Sequence, residues 1–160
     1  MDVTDENFDK IKLQAEETYA LLERIVCPYF GEAEPIAMNS KGIKHIKFKK
    51  DRVARSRADQ FMRLKHIHLI KRILEKSRTL QEYKEINEFV DTKSTARKEQ
   101  VLKMVRYYGF IAIVNDSGRM KRLKIVIKQE DGAEKHFWSI IPFWTSNKEL
   151  KMHSGNLQED

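Results

Sequence analysis

Apolar side chains recur along residues 5–26 (DENFDKIKLQAEETYALLERIV) at Phe8, Ile11, Ala15, Tyr19, Leu22, Ile25 and Val26, the spacing of one face of an α-helix. Thr4 stands where an N-cap belongs, and Asp5 and Glu6 suit the positive end of the helix dipole. Pro28, Gly31 and Pro35 then break the chain, and PIAMN reads as a short strand. A second long helix is predicted over residues 57–76 (RADQFMRLKHIHLIKRILEK), capped by Ser56 with Asp59 and ending near Ser77. Its stripe holds Met62, Ile67, Leu69, Ile70, Ile73 and Leu74. Arg63 and His66 fall inside that stripe, and a polar side chain aimed at a core must find a partner or line a cavity. The pair points to a cleft.

Residues 84–100 are polar and weakly patterned and read as a mobile excursion, although TLQEYKEINEF has the look of an edge strand. The period then changes. MVRYYGFIAIVND (104–116), RLKIVIKQ (122–129) and KHFWSIIPF (135–143) are rich in β-branched and aromatic residues and are separated by the turn sequences DSGR and EDGAE. Helices first and a meander second predict an α+β domain, with the helices packed on one face of an antiparallel sheet. The closing stretch, SNKELKMHSGNLQED, reads as a frayed tail.

The 160 residues fit one domain, and no apolar run approaches the roughly 20 residues of a membrane span. The opening residues are acidic and lack the pattern of a secretory signal. With Cys27 as the single cysteine, a disulfide within the chain is excluded, so a cytoplasmic location is expected. Charge adds more. Residues 1–40 carry three basic and nine acidic side chains, residues 41–76 thirteen and three, and residues 77–160 fifteen and twelve. The positive field is thus concentrated in one stretch, which favours a polyanionic partner. Within it, KGIKHIKFKKDRVARSR (41–57) packs eight lysines and arginines around His45.

Several chemistries drop out. The sequence has no phosphate-binding glycine loop, dinucleotide fingerprint or nucleophile elbow. One cysteine argues against zinc, and His66 and His68, two apart on a helix, point about 200° apart and cannot share a metal. No metal or cofactor is expected. RNA, however, supplies its own nucleophile in the 2′-hydroxyl. Cleaving it without a metal needs a group that moves protons, which histidine does near neutral pH, and cations or hydroxyls that stabilise charge on the phosphate. His45, Arg63, Lys128 at the end of a strand and Ser139 on the next strand are the candidates. The hairpin through QEDGAE can bring Lys128 and Ser139 together. In a regular strand Trp138 and Ser139 point to opposite faces, so Trp138 is either core or a base-stacking platform. Lys47, Lys49, Lys50, Arg52, Arg55 and Arg57 would hold the nucleic-acid backbone, and Asp59 is explained as a cap.

The order of elements, with GIKHIKF between helices and HFWSIIPF ending a meander, resembles the superfamily of small nucleases that links barnase, EndoU, the tRNA-cleaving colicins and RelE-type toxins (the BECR fold), especially its phage- and mobile-element-associated branch. His45, Ile46, Lys47 and Lys49 match the histidine–isoleucine element of that branch, and Ser139 and Pro142 match its terminal strand. The second histidine of the branch is absent, with Lys49 and Lys50 near its place, and the terminal hydroxyl is serine rather than threonine. The resemblance spans about residues 36–144, leaving 1–35 as an N-terminal helix and linker and 145–160 as a flexible tail. It implies a toxin-type endoribonuclease acting on tRNA or mRNA, held in check by an antitoxin or immunity protein.

Three readings follow. In the first the protein is a metal-independent endoribonuclease with His45 as general base or acid. In the second it is a non-catalytic RNA- or DNA-binding module that uses the basic run. In the third it is an interaction partner whose acidic N-terminal helix binds another protein. None involves a membrane.

Overall fold

Helix α1 (Asp5–Leu21) starts where the Thr4 hydroxyl accepts a hydrogen bond from the Asn7 N–H at 3.2 Å, and it turns Phe8, Ala15 and Tyr19 inward. The computed structural model describes residues 4–91, 99–143 and 156–160. After the proline-broken linker, Ile25 and Ile36 form a lone antiparallel bridge and Ala37 a lone parallel bridge to His136, so PIAMN pairs as isolated bridges rather than as a strand. The Tyr19 hydroxyl donates to the Asn39 carbonyl at 2.6 Å, fixing the start of the next helix.

That helix, α2 (Ser40–Lys47), covers the first half of the basic run, and its N-cap Asn39 accepts from the Lys41 N–H. The hydrophobic pattern of this stretch predicts no element. Helix α3 (Arg57–Leu64) is capped by Ser56, which accepts from the Asp59 N–H at 3.1 Å. The predicted helix over 57–76 does not run through. It breaks at His66, passes through a 3₁₀ turn (Ile67–Leu69) and resumes as α4 (Ile70–Leu74). The reason is local: the His66 Nδ1 lies 2.6 Å from the Met62 carbonyl, while the His66 N–H turns to the Arg63 carbonyl three residues back. The ring occupies the acceptor that the helical backbone would have used.

Four strands follow: β1 (Glu82–Asp91), β2 (Gln100–Asp116), β3 (Arg119–Glu130) and β4 (His136–Pro142). They pair in sequence order, every neighbour antiparallel, so the meander is as predicted, while residues 84–91 and 100, expected to belong to a mobile excursion, lie in β1 and β2, with β1 as the edge strand that TLQEYKEINEF also suggested. Residues 92–98 of the polar stretch lie outside the described residues. The β2–β3 turn places Ser117 at φ 52° and Gly118 at φ 85°, the paired left-handed residues of a tight hairpin. The protein is therefore α+β, with its helices on one face of an antiparallel sheet.

The two faces differ. Phe110, Leu123, Ile125, Ile127, Phe137 and Ile140 look toward the helices and join Phe61, Leu64, Ile70 and Leu74 in the main core. The opposite face carries a smaller apolar cluster of Val90, Val105, Tyr107, Val126, Trp138 and Leu157. Leu157 belongs to the stretch predicted to fray. Over residues 156–160 that expectation is corrected: Leu157, Gln158 and Asp160 are buried against the sheet.

Two details bring α2 and β4 together. At Gly42 a Cβ atom would overlap the Phe137 carbonyl oxygen and lie 2.9 Å from the Tyr19 hydroxyl, so only glycine lets α2 lie this close to the strand. In β4, Ser139 pairs with Val126 and Phe137 with Ile127, which leaves Trp138 as the extra residue of a β-bulge.

Candidate functional site

The bulge corrects the expectation that Trp138 and Ser139 face opposite ways. Ser139 shares the face of its partner Val126, and Trp138 packs in the same cluster as Val126. Lys124 and Lys128 stand on this face as well, because strand alternation separates them from Leu123, Ile125 and Ile127.

His45 comes to this face from α2, one turn beyond Gly42. Its ring stacks on Trp138 with centroids 3.9 Å apart and planes 17° from parallel. It is 3% exposed. The Lys128 ammonium lies 4.1 Å from the Trp138 ring centre and 5.7 Å from that of Tyr107. Trp138 is thus covered by histidine and lysine and is not an open platform for a base. From α3, Arg63 reaches across to the strand: its Nη1 donates to the Ser139 Oγ at 2.6 Å and its Nε to the Asp59 Oδ1 at 2.6 Å. Asp59 therefore does more than cap, since its carboxylate orients a guanidinium that is 1% exposed.

Arg55 is the largest surprise among the basic residues. Assigned to the backbone-gripping set, it is instead buried beside His45, with Nε donating to the His45 carbonyl at 2.9 Å and Nη2 3.0 Å from the His45 Nε2. Its second partner is Asp59, at 3.5 Å. The other basic residues of the run are spread outward and partly matched by acids. Lys47 pairs with Glu16 and Arg57 with Asp5, both on α1, while Lys50 meets Glu88 at 2.7 Å and Arg52 meets Asp91 at 3.7 Å. Lys49 is exposed. The acidic first helix thus covers part of the basic face. His66 is buried away from this cluster; its charged neighbours are Lys121, Lys65 and His68.

Burial dominates the titration of the site. It pushes the His45 pKa down to about 2, with Arg55 adding repulsion and the Asp160 main-chain oxygen working the other way. Arg55 is brought down to about 10 by burial and by Arg63. Burial also lowers Arg63, opposed by Asp59, and lowers Lys128, opposed by Glu88 and Glu130. His45 is neutral near pH 7. A neutral imidazole can accept a proton but has none to give as an acid.

Lys124 was absent from the candidates. Its alternation with Leu123 and Ile125, four residues before Lys128, was the available signal. It is 2% exposed and pairs with Asp160 Oδ2 at 2.5 Å and Glu82 Oε2 at 3.1 Å. His136, on the same strand as Trp138, meets the indole edge-on at 6.1 Å, and burial brings its pKa to about 3. Two open surface pockets, one just past the end of α1 lined by Leu22, Arg24, Ala37 and Glu134 and one beside α1 lined by Glu16, Tyr19, Ile43 and Lys47, hold none of these cluster residues. The cluster itself is filled by residues 156–160.

Chemically the arrangement gathers a neutral imidazole, two guanidiniums, two ammoniums and a hydroxyl on one wall, drawn from α2, α3, β3 and β4 and the α2–α3 link. Among the described residues no three histidine, cysteine, aspartate or glutamate side chains group so as to hold a metal ion, and no helix is long and apolar enough to cross a membrane. In comparisons with protein-family models, curated proteins and solved structures, nothing matches the chain.

Proposed function

We propose that the protein is a metal-independent endoribonuclease whose phosphate site is the His45, Arg55, Arg63, Lys128 and Ser139 cluster. One observation carries this reading. Separate elements each deliver a cationic or proton-carrying side chain to a single wall, although burying such groups opposes stability unless they serve a ligand or one another. The resemblance borne by His45, Ile46, Ser139 and Pro142 points the same way.

The chemistry runs through the RNA. Burial and Arg55 oppose protonation of His45 in the free site, and the negative charge of a bound phosphate would favour it; His45 then takes the proton from a 2′-hydroxyl at Nε2, and the freed oxygen attacks the adjacent phosphorus. Arg55 and Arg63 stabilise the charge that builds on the non-bridging oxygens, with Ser139, held by Arg63, donating a further hydrogen bond. Lys128 protonates the departing 5′-oxygen; burial makes its ammonium a readier acid than an ordinary lysine. The products are a 2′,3′-cyclic phosphate and a 5′-hydroxyl. As a toxin-type enzyme it would act on tRNA or mRNA and need an antitoxin or immunity protein as partner.

The second reading, binding of RNA or DNA without cleavage, is favoured by the hydrogen bond of 2.7 Å that already satisfies the His45 Nε2. Incubating the protein and His45→Ala with a tRNA pool and total RNA in excess EDTA separates the two. Discrete cyclic-phosphate fragments from the native protein alone support cleavage. Intact RNA, with salt-sensitive binding by both proteins, retires it.

A further inference from the structure

We infer that residues 156–160 (NLQED) sit in the cleft in place of a nucleic-acid backbone, closing the site until a polyanion displaces them. The inference rests on the polyanion-binding reading above and adds its regulation, together with a second anionic subsite at Lys124.

The segment meets the donors of the site through oxygen atoms, while the Gln158 side-chain nitrogen donates to Glu88 and Lys84 Nζ donates to the Asn156 and Gln158 side-chain oxygens at 2.9 and 2.6 Å. The Asp160 carboxylate lies 2.5 Å from the Lys124 ammonium, and its main-chain oxygen lies 2.7 Å from the His45 Nε2. The Glu159 carbonyl accepts from Arg55 at 3.2 Å, and the Gln158 carbonyl from the Trp138 indole N–H at 3.4 Å. Each is a donor that a phosphodiester would use. The anchor is apolar: Leu157 enters the small cluster over Gly109, where a Cβ would approach its Cδ2 to 3.2 Å. A carboxylate over Lys124 makes its burial tolerable, and a phosphate oxygen there would serve equally, with Glu82 remaining beside it.

The His45 Nε2 shows how closure acts on the chemistry. It faces an acceptor, the Asp160 oxygen, and a donor, the Arg55 Nη2 at 3.0 Å. One imidazole nitrogen cannot donate to the first and accept from the second at once. With the segment in place Nε2 carries the hydrogen and gives it to Asp160, while Arg55 turns to the Glu159 and His45 carbonyls. Once the segment leaves, the hydrogen can move to Nδ1 and Nε2 presents a lone pair, which Arg55 Nη2 must yield to the substrate hydroxyl. The occupant thus holds His45 in the tautomer that cannot act as a base at that nitrogen.

The test measures binding of a short fluorescein-labelled 2′-O-methyl RNA, which cannot be cleaved, by anisotropy across a salt series. Deleting residues 156–160 should tighten binding by about tenfold or more, because the native site is competent only for the fraction of time the segment is out. It should also steepen the salt dependence as Lys124 gains a phosphate. Lys124→Ala in the deleted background should reverse part of the gain. Unchanged affinity in a deletion variant that still melts cooperatively overturns the inference and leaves the polyanion reading standing. RNA bound by no variant overturns both. If the deletion loses its cooperative melt, Asp160→Asn, which keeps Leu157 anchored, carries the comparison: tighter binding supports closure and unchanged binding overturns it.

Discussion

Acidification should destabilise this protein well above the range in which carboxylates titrate. His45, His66 and His136 are buried, and burial is the chief cause that brings their pKa values to about 2, about 4 and about 3 from an ordinary 6.5. In the unfolded chain each returns to the ordinary value. Below pH 6.5 the unfolded chain therefore binds protons that the fold refuses, so stability falls as the pH falls, and above about pH 7 the effect vanishes. At pH 5 each histidine lies about 1.5 units below its unfolded pKa while staying neutral in the fold. At 1.36 kcal/mol per unit that is about 2 kcal/mol each, or about 6 kcal/mol together. Asp116, brought to about 2 chiefly by Lys121, is ionised in both states across this window and does not blur it. A loss of about 6 kcal/mol is comparable with the whole stability of a small domain, roughly 5–15 kcal/mol. Urea melts at pH 8, 6 and 5, followed by tryptophan fluorescence, measure it. His66→Gln should remove about a third of the acid loss, whatever it does to stability at pH 8. A urea midpoint that holds steady from pH 8 to pH 5, or a loss that begins only below pH 4, would refute the reasoning.

Other perturbations have simpler readouts. Gly42→Ala forces a methyl against the Phe137 carbonyl and should destabilise by about 1–3 kcal/mol in a denaturant melt, with changed Trp138 fluorescence as the His45 stack loosens. Arg63→Ala leaves Ser139 without its partner and Asp59 with only the longer contact to Arg55, and should lower stability by about 3–5 kcal/mol, whereas Ser139→Ala should cost only about 1–2 kcal/mol and, on the proposed ribonuclease reading, lower the rate of cleavage. Glu16→Gln should leave stability within about 1 kcal/mol of native and, on the proposed polyanion-binding reading, raise the rate of RNA association at low salt, measured by stopped-flow anisotropy, because Lys47 loses its acidic neighbour.

Much of this was legible in the chain. Strand periods located the meander, and Ser56 marked the start of α3 as read. Arg63 announced itself as a charge within an apolar stripe, and it is buried with Asp59 and Ser139 as partners. What stayed hidden has physical reasons. In SKGIKHIK the inward positions are Gly42, His45 and Ile46, so only one is a large aliphatic residue and the helical period barely registers. His66 breaks its helix through a side-chain bond that no periodicity encodes. Arg55 differs from Arg52 and Arg57 only in being carried inward by the link between α2 and α3. NLQED is polar and short, and its single buried leucine is too little pattern to predict docking.

The bulge in β4 makes the site depend on a residue count as well as on residue types. Trp138 is supernumerary: the pairs on either side, Val126 with Ser139 and Ile127 with Phe137, are those of a plain ladder. Loss of one codon would leave every cross-strand pair and the Arg63–Ser139 bond in place, yet strip away the plane on which His45 rests. A single in-frame deletion could therefore remove the stacking partner of His45 while the strand pairing is kept, at the cost of the apolar contacts Trp138 makes in the smaller cluster.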